Sequence, residues 1–296
     1  MAKIKKVHFR NYALIFGFLF FLVGSCSSSS DSEPVNDDSQ EDVNDDTDDT
    51  DDTNTDPNGL NTRFVFNENL VIEHSWNTGG CDSPPCDTDE DALNNVFDNS
   101  LPNDPYFYME ADEVELNLEC QKEKGRRAEF KQISEGPLTS YSKMEFEARY
   151  YDIPDGGFTI AQVHNRGGNS NKPFFRLELH NNKLETVIRK DPEVSSSQTS
   201  FSKVDYPLLN GEDYDLSLLK VILEKDGGFT NITVMQEGTV ILEESFQPDP
   251  STRWVSDNGI ANGYYLKAGA YNAATTHTEN LILGYTTFTF ETDDLN

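Results

Sequence analysis

Apolar and charged residues alternate with a period of two over most of the chain beyond residue 59. The clearest example is Ser142–Tyr151, where Lys, Glu, Glu and Arg occupy every second position. The positions that follow them hold Met144, Phe146, Ala148 and Tyr150. Side chains of a β-strand point alternately to its two faces, so the pattern predicts a strand with one buried face and one solvated face.

Equivalent patterns, separated by Asp-Gly-Gly, Asn-Asn and Glu-Gly turns, predict further strands. They fall at residues 63–66, 113–120, 126–133, 158–164, 174–180, 183–189, 214–224, 230–236, 239–246, 264–273 and 281–291. Residues 67–103 are rich in Asn, Asp, Pro and Gly, which predicts loops and at most one short helix at 89–97. This succession predicts an all-β fold, an antiparallel β-sandwich of the jelly-roll, concanavalin-like type with a concave polar face.

The first 25 residues predict a signal peptide. A basic start is followed by an apolar run at 13–23 that is too short to predict a membrane span. The run ends in Leu22-Val23-Gly24-Ser25-Cys26, which resembles a bacterial lipobox. The resemblance implies cleavage before Cys26 and lipidation of that residue, so lipid chains would anchor the mature protein. An ordinary secretory signal with an incidental Cys is the alternative.

Residues 26–58 predict an acidic, disordered tether behind the lipidated Cys26. Thirteen Asp and Glu residues and no Lys or Arg lie between 27 and 58. Such a segment buries too little apolar surface to offset its ordering entropy. Its start, Ser30-Asp31-Ser32-Glu33, resembles the export signal of bacterial surface lipoproteins, which implies an outer-membrane anchor and exposure at the cell surface.

The remaining residues, 59–296, suffice for one large β-domain. The chain carries 53 Asp and Glu against 23 Lys and Arg, which argues against nucleic acid as a partner. Thirteen of the basic residues lie between 122 and 190, so a local positive cleft on an acidic body is expected. We expect a monomer that contacts the membrane only through its lipid anchor.

Three cysteines remain once Cys26 is lipidated. Cys81 with Cys86, or either of them with Cys120, could form a disulfide in an exported protein. No His or second Cys pair stands nearby at ligand spacing, so we expect no metal site and no cofactor.

Three segments place functional groups at alternate positions of predicted strands. They are Arg127-Ala128-Glu129-Phe130-Lys131, Gln162-Val163-His164 and Tyr265-Leu266-Lys267-Ala268-Gly269-Ala270-Tyr271. In each segment the period of two puts the polar groups on one face of a sheet. In the third segment, Gly269 is expected to leave room for a ligand beside the charged and phenolic groups.

In order and spacing these segments resemble the signature motifs of polysaccharide lyase family 7, the alginate lyases. Those motifs read roughly Arg-(Ser/Thr)-Glu-Leu-Arg, Gln-(Ile/Val)-His and Tyr-Phe-Lys-Ala-Gly-x-Tyr-x-Gln. The resemblance spans residues 64 to the end in order and scale, but only the three motifs match closely. It implies a jelly-roll lyase that cleaves an anionic uronate polymer, alginate in the first place, by β-elimination.

The resemblance also implies the catalytic roles. Arg127 and Gln162 would neutralise the uronate carboxylate, since abstraction of the C5 proton next to it builds up negative charge. His164 would take that proton, and Tyr271 would protonate the leaving O4. For the other uronate epimer, Tyr271 would serve as both base and acid.

Further residues on these faces, on the strand predicted at 174–180 and in the loop after His164 are expected to bind substrate. They are Lys267, Glu129, Lys131, Arg176, Tyr265 and Asn165. Each has an ordinary alternative as a solvated or structural strand residue. Four positions depart from the family motifs, Ala128, Phe130, Lys131 and Ala273, and are expected to change the cleft lining. The polymer therefore stays open between alginate and another uronate glycan such as glucuronan or ulvan, as does the choice between endo and exo action.

A surface glycan-binding lipoprotein without catalysis is the rival from another functional class. It would need the polar face but neither His164 nor Tyr271. A glycoside hydrolase needs two carboxylates that flank the bond, and no fitting pair is evident in the sequence.

Overall fold

The computed structural model describes the chain over residues 60–76, 88–93, 101–110, 115–151, 153, 156–167, 170–180, 183–191, 201–209, 218–248, 263–273 and 276–294. The predicted signal peptide, the lipidation site Cys26, the tether, and Cys81 and Cys86 lie outside these residues.

Within these described ranges, seventeen strands form two sheets. The nine-stranded sheet has the order β15 (Thr239–Phe246), β14 (Phe229–Gln236), β13 (Leu219–Asp226), β8 (Ser142–Tyr151), β17 (Leu281–Thr292), β6 (Leu116–Cys120), β5 (Phe107–Tyr108) and β4 (Asn103–Asp104), with β1 (Phe64–Val65) paired to β17. The eight-stranded sheet has the order β12 (Phe201–Pro207), β11 (Lys183–Arg189), β10 (Ser170–His180), β9 (Phe158–Gly167), β16 (Tyr264–Tyr271), β7 (Arg127–Gln132), β2 (Leu70–His74) and β3 (Asp89–Ala92).

All pairings are antiparallel except that of β1 with β17. A four-residue helix, α1 (Leu60–Arg63), precedes β1. Within the described ranges, no helix is long and apolar enough to cross a membrane. The prediction of an all-β antiparallel sandwich is confirmed.

Aromatic side chains join the inner faces of the two sheets. Phe130 of β7 lies with its ring centroid 4.3 Å from that of Phe288 and 5.3 Å from that of Tyr285, both on β17. Phe146 of β8 stacks on the same Phe288. Because buried aromatic rings contribute large apolar areas, this cluster fixes which face of each sheet is inward.

The alternation read from the sequence is confirmed in β8 and β10. The residues predicted to point inward, Met144, Phe146, Ala148, Tyr150, Phe175, Leu177 and Leu179, are all buried in the core. The charged residues between them are partly exposed. Because only one face of each of these strands is buried, the alternation of apolar and charged residues was sufficient to predict them.

The prediction of loops for residues 67–103 was partly wrong. Residues 70–74 form β2, and residues 89–92 form the edge strand β3 where a short helix was expected. Val71 to His74 pair with Ala92 to Asp89, so main-chain hydrogen bonding to β2 holds this exposed acidic segment extended. Strand β12 was also missed.

Two further boundaries differ from the prediction. Residues 63–66 begin in α1, and β1 comprises only Phe64–Val65. The strands predicted at 158–164 and 174–180 are longer than expected: β9 ends at Gly167 and β10 begins at Ser170, with Asn165 paired to Lys172 and Gly167 to Ser170. Cys120 is a free and fully buried thiol whose Sγ lies 3.4 Å from the carbonyl oxygen of Gln121.

A buried polar network fastens the end of the chain to the sandwich. Lys225 Nζ lies 2.6 Å from Asp294 Oδ2, and it also donates to the Pro137 and Ser140 carbonyl oxygens. Gln132 Nε2 donates to the same Asp294 oxygen at 2.9 Å, while Gln132 Oε1 accepts from the backbone N–H of Leu266 in β16. The network therefore connects residue 294 to the central strand of the other sheet.

We expect Asp294→Ala to lower the free energy of unfolding by about 3–5 kcal/mol, because it leaves the buried ammonium of Lys225 without its counter-charge. Urea denaturation of the folded domain would measure this change. The matched control is Lys220→Gln, which breaks the partly exposed pair with Glu145 (2.7 Å) and should cost less than about 1 kcal/mol. Equal effects of the two substitutions would contradict the prediction.

Candidate active site

The three motif segments lie on adjacent strands at the centre of the eight-stranded sheet. Arg127 of β7 pairs with Tyr271 of β16, and Lys131 with Lys267. On the other side of β16, Gln162 pairs with Lys267 and His164 with Tyr265. We call the outward side of this sheet the polar face; at its centre it carries Arg127, Glu129, Lys131, Gln162, His164, Tyr265, Lys267 and Tyr271. The predicted sharing of one face is thus present.

Gly269 serves strand packing at this point. Its φ is 156°, and a Cβ added there would come within 2.3 Å of the Ala128 carbonyl oxygen and 2.5 Å of Glu129 Cα. The pairing of β16 with β9 is also irregular between Ala268 and Tyr271. The missing side chain therefore lets β7 approach closely, and the expectation that it clears space for a ligand was wrong.

Arg127 is held by two glutamates and an aromatic ring, and one of its donors has no partner among the described residues. Its Nη1 donates to Glu73 Oε2 at 3.0 Å and lies 3.9 Å from Glu129 Oε2. Its guanidinium carbon lies 4.5 Å from the ring centroid of Tyr271, a cation–π distance. Its Nε is buried and has no partner among the described residues. Burial opposes the charge, but the two glutamates outweigh it and raise the pKa of Arg127.

Glu73 of β2 belongs to the site and was missed from the sequence. It contacts Lys267, and its Oε1 lies 3.7 Å from Lys131 Nζ. Burial alone would raise its pKa, but Lys267, Arg127 and Lys131 together lower it to about 2. The apolar run Leu70-Val71-Ile72 directly before it was the available signal, since β-branched residues favour strands. The surrounding Asn, Asp and Pro residues obscured that signal.

Glu129 and Lys267 are the most deeply buried charged residues of the polar face. Each is 1% exposed, and Lys267 Nζ lies 3.6 Å from Glu129 Oε2. Gln162 Nε2 donates to Glu129 Oε1 at 2.5 Å. Burial is the largest influence on Glu129 and raises its pKa, although Lys267 and Arg127 act against it. These two buried residues, predicted to bind substrate, are placed to orient Arg127 and Gln162.

His164 is held as a neutral imidazole. Its Nδ1 lies 3.1 Å from the carbonyl oxygen of Asn165; a carbonyl only accepts, so Nδ1 carries the proton and Nε2 keeps a lone pair. Its ring stacks on that of Tyr265 at 5.1 Å. Burial, followed by the charges of Lys267 and Arg127, lowers the pKa of His164 well below 6.5. The imidazole can therefore accept a proton at neutral pH.

Tyr271 and His164 share the face but are not cross-strand partners. Tyr271 pairs with Thr159, whereas His164 pairs with Tyr265, six residues earlier in β16. Arg127 influences both groups, because its guanidinium packs on the Tyr271 ring and its charge depresses the pKa of His164. Arg127 therefore interacts with both the candidate base, His164, and the candidate acid, Tyr271.

The other residues predicted to bind substrate, Lys131, Tyr265, Arg176 and Asn165, lie in different environments. Lys131 is buried and contacts Glu90, and Tyr265 is 2% exposed beside His164. Arg176 of β10 is in register with Gln162 and lies 3.1 Å from Glu178. Asn165 is fully buried and donates to the Gly263 carbonyl oxygen on the opposite side of β9, out of reach of a ligand on the polar face.

Two of the four departures from the family motifs do not line the cleft. Ala128 and Phe130 are both fully buried, and Phe130 stands in the aromatic cluster between the sheets. The expectation that all four alter the cleft was therefore wrong for these two, because the period of two turns them inward. Lys131 remains on the polar face.

In the part of the chain that the structure describes, one group of side chains has donor atoms close enough to hold a metal ion. The ligand atoms of Glu178, His180 and Glu185 lie within 4.8 Å of one another. Both carboxylates already have cationic partners: Arg176 lies 3.1 Å from Glu178, and Lys203 contacts Glu185. A metal would have to displace these partners, and we derive no step of chemistry from it.

We expect Glu73→Gln to remove about 3 kcal/mol of stability at pH 7, because its pKa falls from 4.5 to about 2 on folding. A depressed carboxyl pKa stabilises the fold above pH 4.5, and this contribution is lost as the pH falls to about 2. Urea denaturation of both proteins at several pH values should therefore show a difference that shrinks between pH 5 and pH 2. A difference that is constant over this range would contradict the assignment.

No protein-family profile and no curated protein sequence matches the chain. Solved structures do. Alginate lyase A1-II′, described as a member of polysaccharide lyase family 7, superposes with a TM-score of 0.54 at 14% identity, covering 77% of this chain and 96% of that one. Its variant in complex with the substrate GGMG, with one His changed to Asn and one Tyr to Phe, covers 81% of this chain and 97% of its own, with the same TM-score and identity.

Two other alginate lyases give similar values. AlyC3 in complex with dimannuronate has a TM-score of 0.55 at 12% identity and covers 81% of this chain and 92% of that one. Alginate lyase PA1167 from Pseudomonas aeruginosa has a TM-score of 0.52 at 14% identity and covers 76% and 99%. At this level of identity the likeness concerns the backbone, and the chain has the fold of the family 7 polysaccharide lyases.

Proposed function

We propose that this protein is a polysaccharide lyase that cleaves an anionic uronate polymer, with alginate as the first candidate, by β-elimination. The observation that carries the proposal is the neutral, partly exposed His164, whose Nε2 keeps its lone pair, on the same sheet face as Arg127, whose Nε has no partner among the described residues. A proton acceptor beside a carboxylate clamp is what removal of a proton next to a carboxylate requires.

Arg127 and Gln162 would bind the carboxylate of the sugar that reacts. Arg127 keeps a buried, unpartnered Nε, and Gln162 uses one N–H for Glu129 and has a second available. Because Glu73 and Glu129 hold these side chains in place, little reorganisation is needed when negative charge develops. The permanent charge of the guanidinium then offsets the second negative charge that proton abstraction builds up.

His164 Nε2 would take the proton from C5, and the electron pair of that bond would form the C4=C5 double bond. The bond between C4 and O4 breaks, and Tyr271 donates its phenolic proton to the departing oxygen. The polymer thus ends in an unsaturated sugar, and no water is consumed. The structure of A1-II′ in complex with its substrate is that of a variant in which one His is changed to Asn and one Tyr to Phe. These are the two residue types to which we assign the proton transfers here.

Incubation of the domain with alginate, poly-mannuronate, poly-guluronate, glucuronan and ulvan tests the reaction and the polymer together. The unsaturated product absorbs in the ultraviolet, so we expect absorbance to rise with alginate or with one of its block polymers. A rise with glucuronan or ulvan alone would keep the lyase but change the substrate. No rise with any of the polymers would refute the lyase proposal.

Substitution of the candidate base and acid tests their roles. We expect His164→Ala and Tyr271→Phe each to lower kcat by about 10²–10⁴-fold while the protein stays folded, since each removes one proton transfer. The matched comparison is Tyr265→Phe, which removes only the hydroxyl group of the ring that stacks on His164. If Tyr265→Phe loses turnover and Tyr271→Phe retains it, Tyr265 is the acid.

The same variants separate the lyase from a non-catalytic glycan-binding protein. A binding protein would retain polymer affinity in every variant and would produce no unsaturated sugar even as the unsubstituted chain. Turnover that survives both His164→Ala and Tyr271→Phe would refute our assignment of the residues.

We further propose that the protein is a lipoprotein anchored through Cys26 to the bacterial outer membrane and exposed at the cell surface. The support is the lipobox-like sequence and the acidic segment after it. In a lipoprotein-producing bacterial host, the full chain should fractionate with membranes and incorporate labelled fatty acid, and Cys26→Ser should abolish both. Unchanged labelling of Cys26→Ser would contradict the proposal.

A further inference from the structure

The charges of the candidate site balance one another before any ligand binds. Three cations lie within 3.9 Å of three carboxylates, and these six residues are Arg127, Lys131 and Lys267 with Glu73, Glu90 and Glu129. His164 is neutral and adds no charge to this sum. A uronate carboxylate bound to Arg127 would therefore be a fourth negative charge among three positive ones. An unbalanced charge is costly in a buried place, so the site must gain a positive charge or lose a negative one.

Glu129 is the least well paired of the three carboxylates. Among the described residues, its nearest cation is Lys267, whose Nζ lies 3.6 Å from Glu129 Oε2, and Arg127 Nη1 lies 3.9 Å from the same oxygen. Both cations are closer to Glu73: Arg127 Nη1 lies 3.0 Å from Glu73 Oε2, and Lys267 contacts that oxygen too. Glu129 Oε2 is buried and has no hydrogen-bond partner among the described residues.

The surroundings of Glu129 oppose its negative charge. Burial is the largest influence and raises its pKa together with the charge of Glu73, whereas Lys267, Arg127 and the hydrogen bond from Gln162 act against it. The other titratable groups on the strands around it are Lys131 on β7, His164 on β9, Tyr265 and Tyr271 on β16, Cys120 on β6 and Tyr285 on β17. Burial raises the pKa of Cys120 and of Tyr285, so neither adds charge on the core side.

The other two carboxylates of the site differ from Glu129 in this respect. The pKa of Glu73 is lowered to about 2, because Lys267, Arg127 and Lys131 together outweigh its burial. Glu90 contacts Lys131 and has a side chain that is 45% exposed, so water also solvates its charge. Of the three carboxylates, Glu129 is therefore the one that loses its charge at the lowest cost.

We propose that Glu129 takes up a proton when a uronate carboxylate binds to Arg127 and Gln162, so that binding of the polymer is coupled to uptake of about one proton. The inference rests on the proposed function, which assigns the carboxylate to these two residues. The proton comes from the solvent and binds to Glu129 Oε2, the oxygen without a hydrogen bond. Glu129 does not touch the sugar; it is a positioning residue that keeps the total charge of the site constant.

The coupling has a defined direction with pH. Between the pKa of Glu129 in the free protein and its higher pKa in the complex, affinity falls as the pH rises, by up to about tenfold per pH unit. At lower pH, Glu129 is protonated before the ligand binds. At higher pH it stays ionised in the complex. In both of these ranges its contribution to the affinity does not depend on pH.

The test is calorimetric titration with an alginate tetrasaccharide in the His164→Ala background. This background prevents cleavage and removes the other side chain that could accept the proton. Titrations in two buffers of different ionisation enthalpy, at several pH values, give the number of protons taken up. We expect up to about one proton per bound ligand. Addition of Glu129→Gln should abolish the uptake and remove the fall of affinity with pH.

Glu178→Gln in the same background is the matched control. It makes the same substitution on a strand of the same sheet, but burial of Glu178 is outweighed by His180 and Arg176, which lower its pKa. The proton uptake of this control should equal that of His164→Ala alone. Urea denaturation would establish that each variant is folded.

Infrared difference spectroscopy gives a second measurement that does not depend on the folding of Glu129→Gln. Binding of the tetrasaccharide to His164→Ala should produce the C=O stretching band of a protonated carboxyl group. With a ligand whose carboxylates carry ¹³C the band should keep its position, because it belongs to the protein. A band that shifts with the labelled ligand, or no band, would contradict the inference.

The outcomes distinguish this inference from the proposed function. If the unsubstituted protein cleaves alginate but binding takes up no proton, or the uptake persists in Glu129→Gln, the inference is overturned and the lyase stands. If no polymer is cleaved but the tetrasaccharide binds with an uptake that Glu129→Gln abolishes, the inference stands for a binding protein. Absence of any binding would overturn the inference together with the choice of alginate.

Discussion

The structure of the site depends on buried charge pairs in the middle of the eight-stranded sheet. Glu73 and Glu129 lie among Arg127, Lys131 and Lys267, and none of these five side chains has substantial exposure. Buried charges are costly without partners, so removal of any one affects the others. The same requirement fixes Arg127 and Gln162 on the polar face, because the glutamates that neutralise the cations also hold these two side chains.

The sandwich gives this network its fixed geometry. Phe130 packs inward against Phe288 and Tyr285 while its neighbours Glu129 and Lys131 point outward, so the core and the site share strand β7. Gly269 allows β16 to approach β7 closely at the centre of the site. The network around Asp294 ties the far end of the chain to β16 through Gln132. Positions that contact no ligand therefore contribute to the placement of His164 and Tyr271.

The polar face extends beyond the catalytic motifs. From β7 to β12 it carries a succession of cations on a strongly acidic chain, and these cations lie on the strands that a polymer crossing the sheet would meet. A polyanion is bound best by charges that are spaced along its length and already oriented. The candidate reaction depends on this distribution of charge.

The sequence by itself determined the strands whose faces alternate, because burial of one face imposes a period of two, and that period also put Arg127, Gln162, His164 and Tyr271 on one face. It did not determine strand pairing. Glu73 entered the site because β2 pairs with β7. Because β16 pairs with β7, the backbone of Ala128 and Glu129 fills the space that a side chain at position 269 would need. Cross-strand register arises from contacts between distant residues, so only the tertiary structure decided which charges meet.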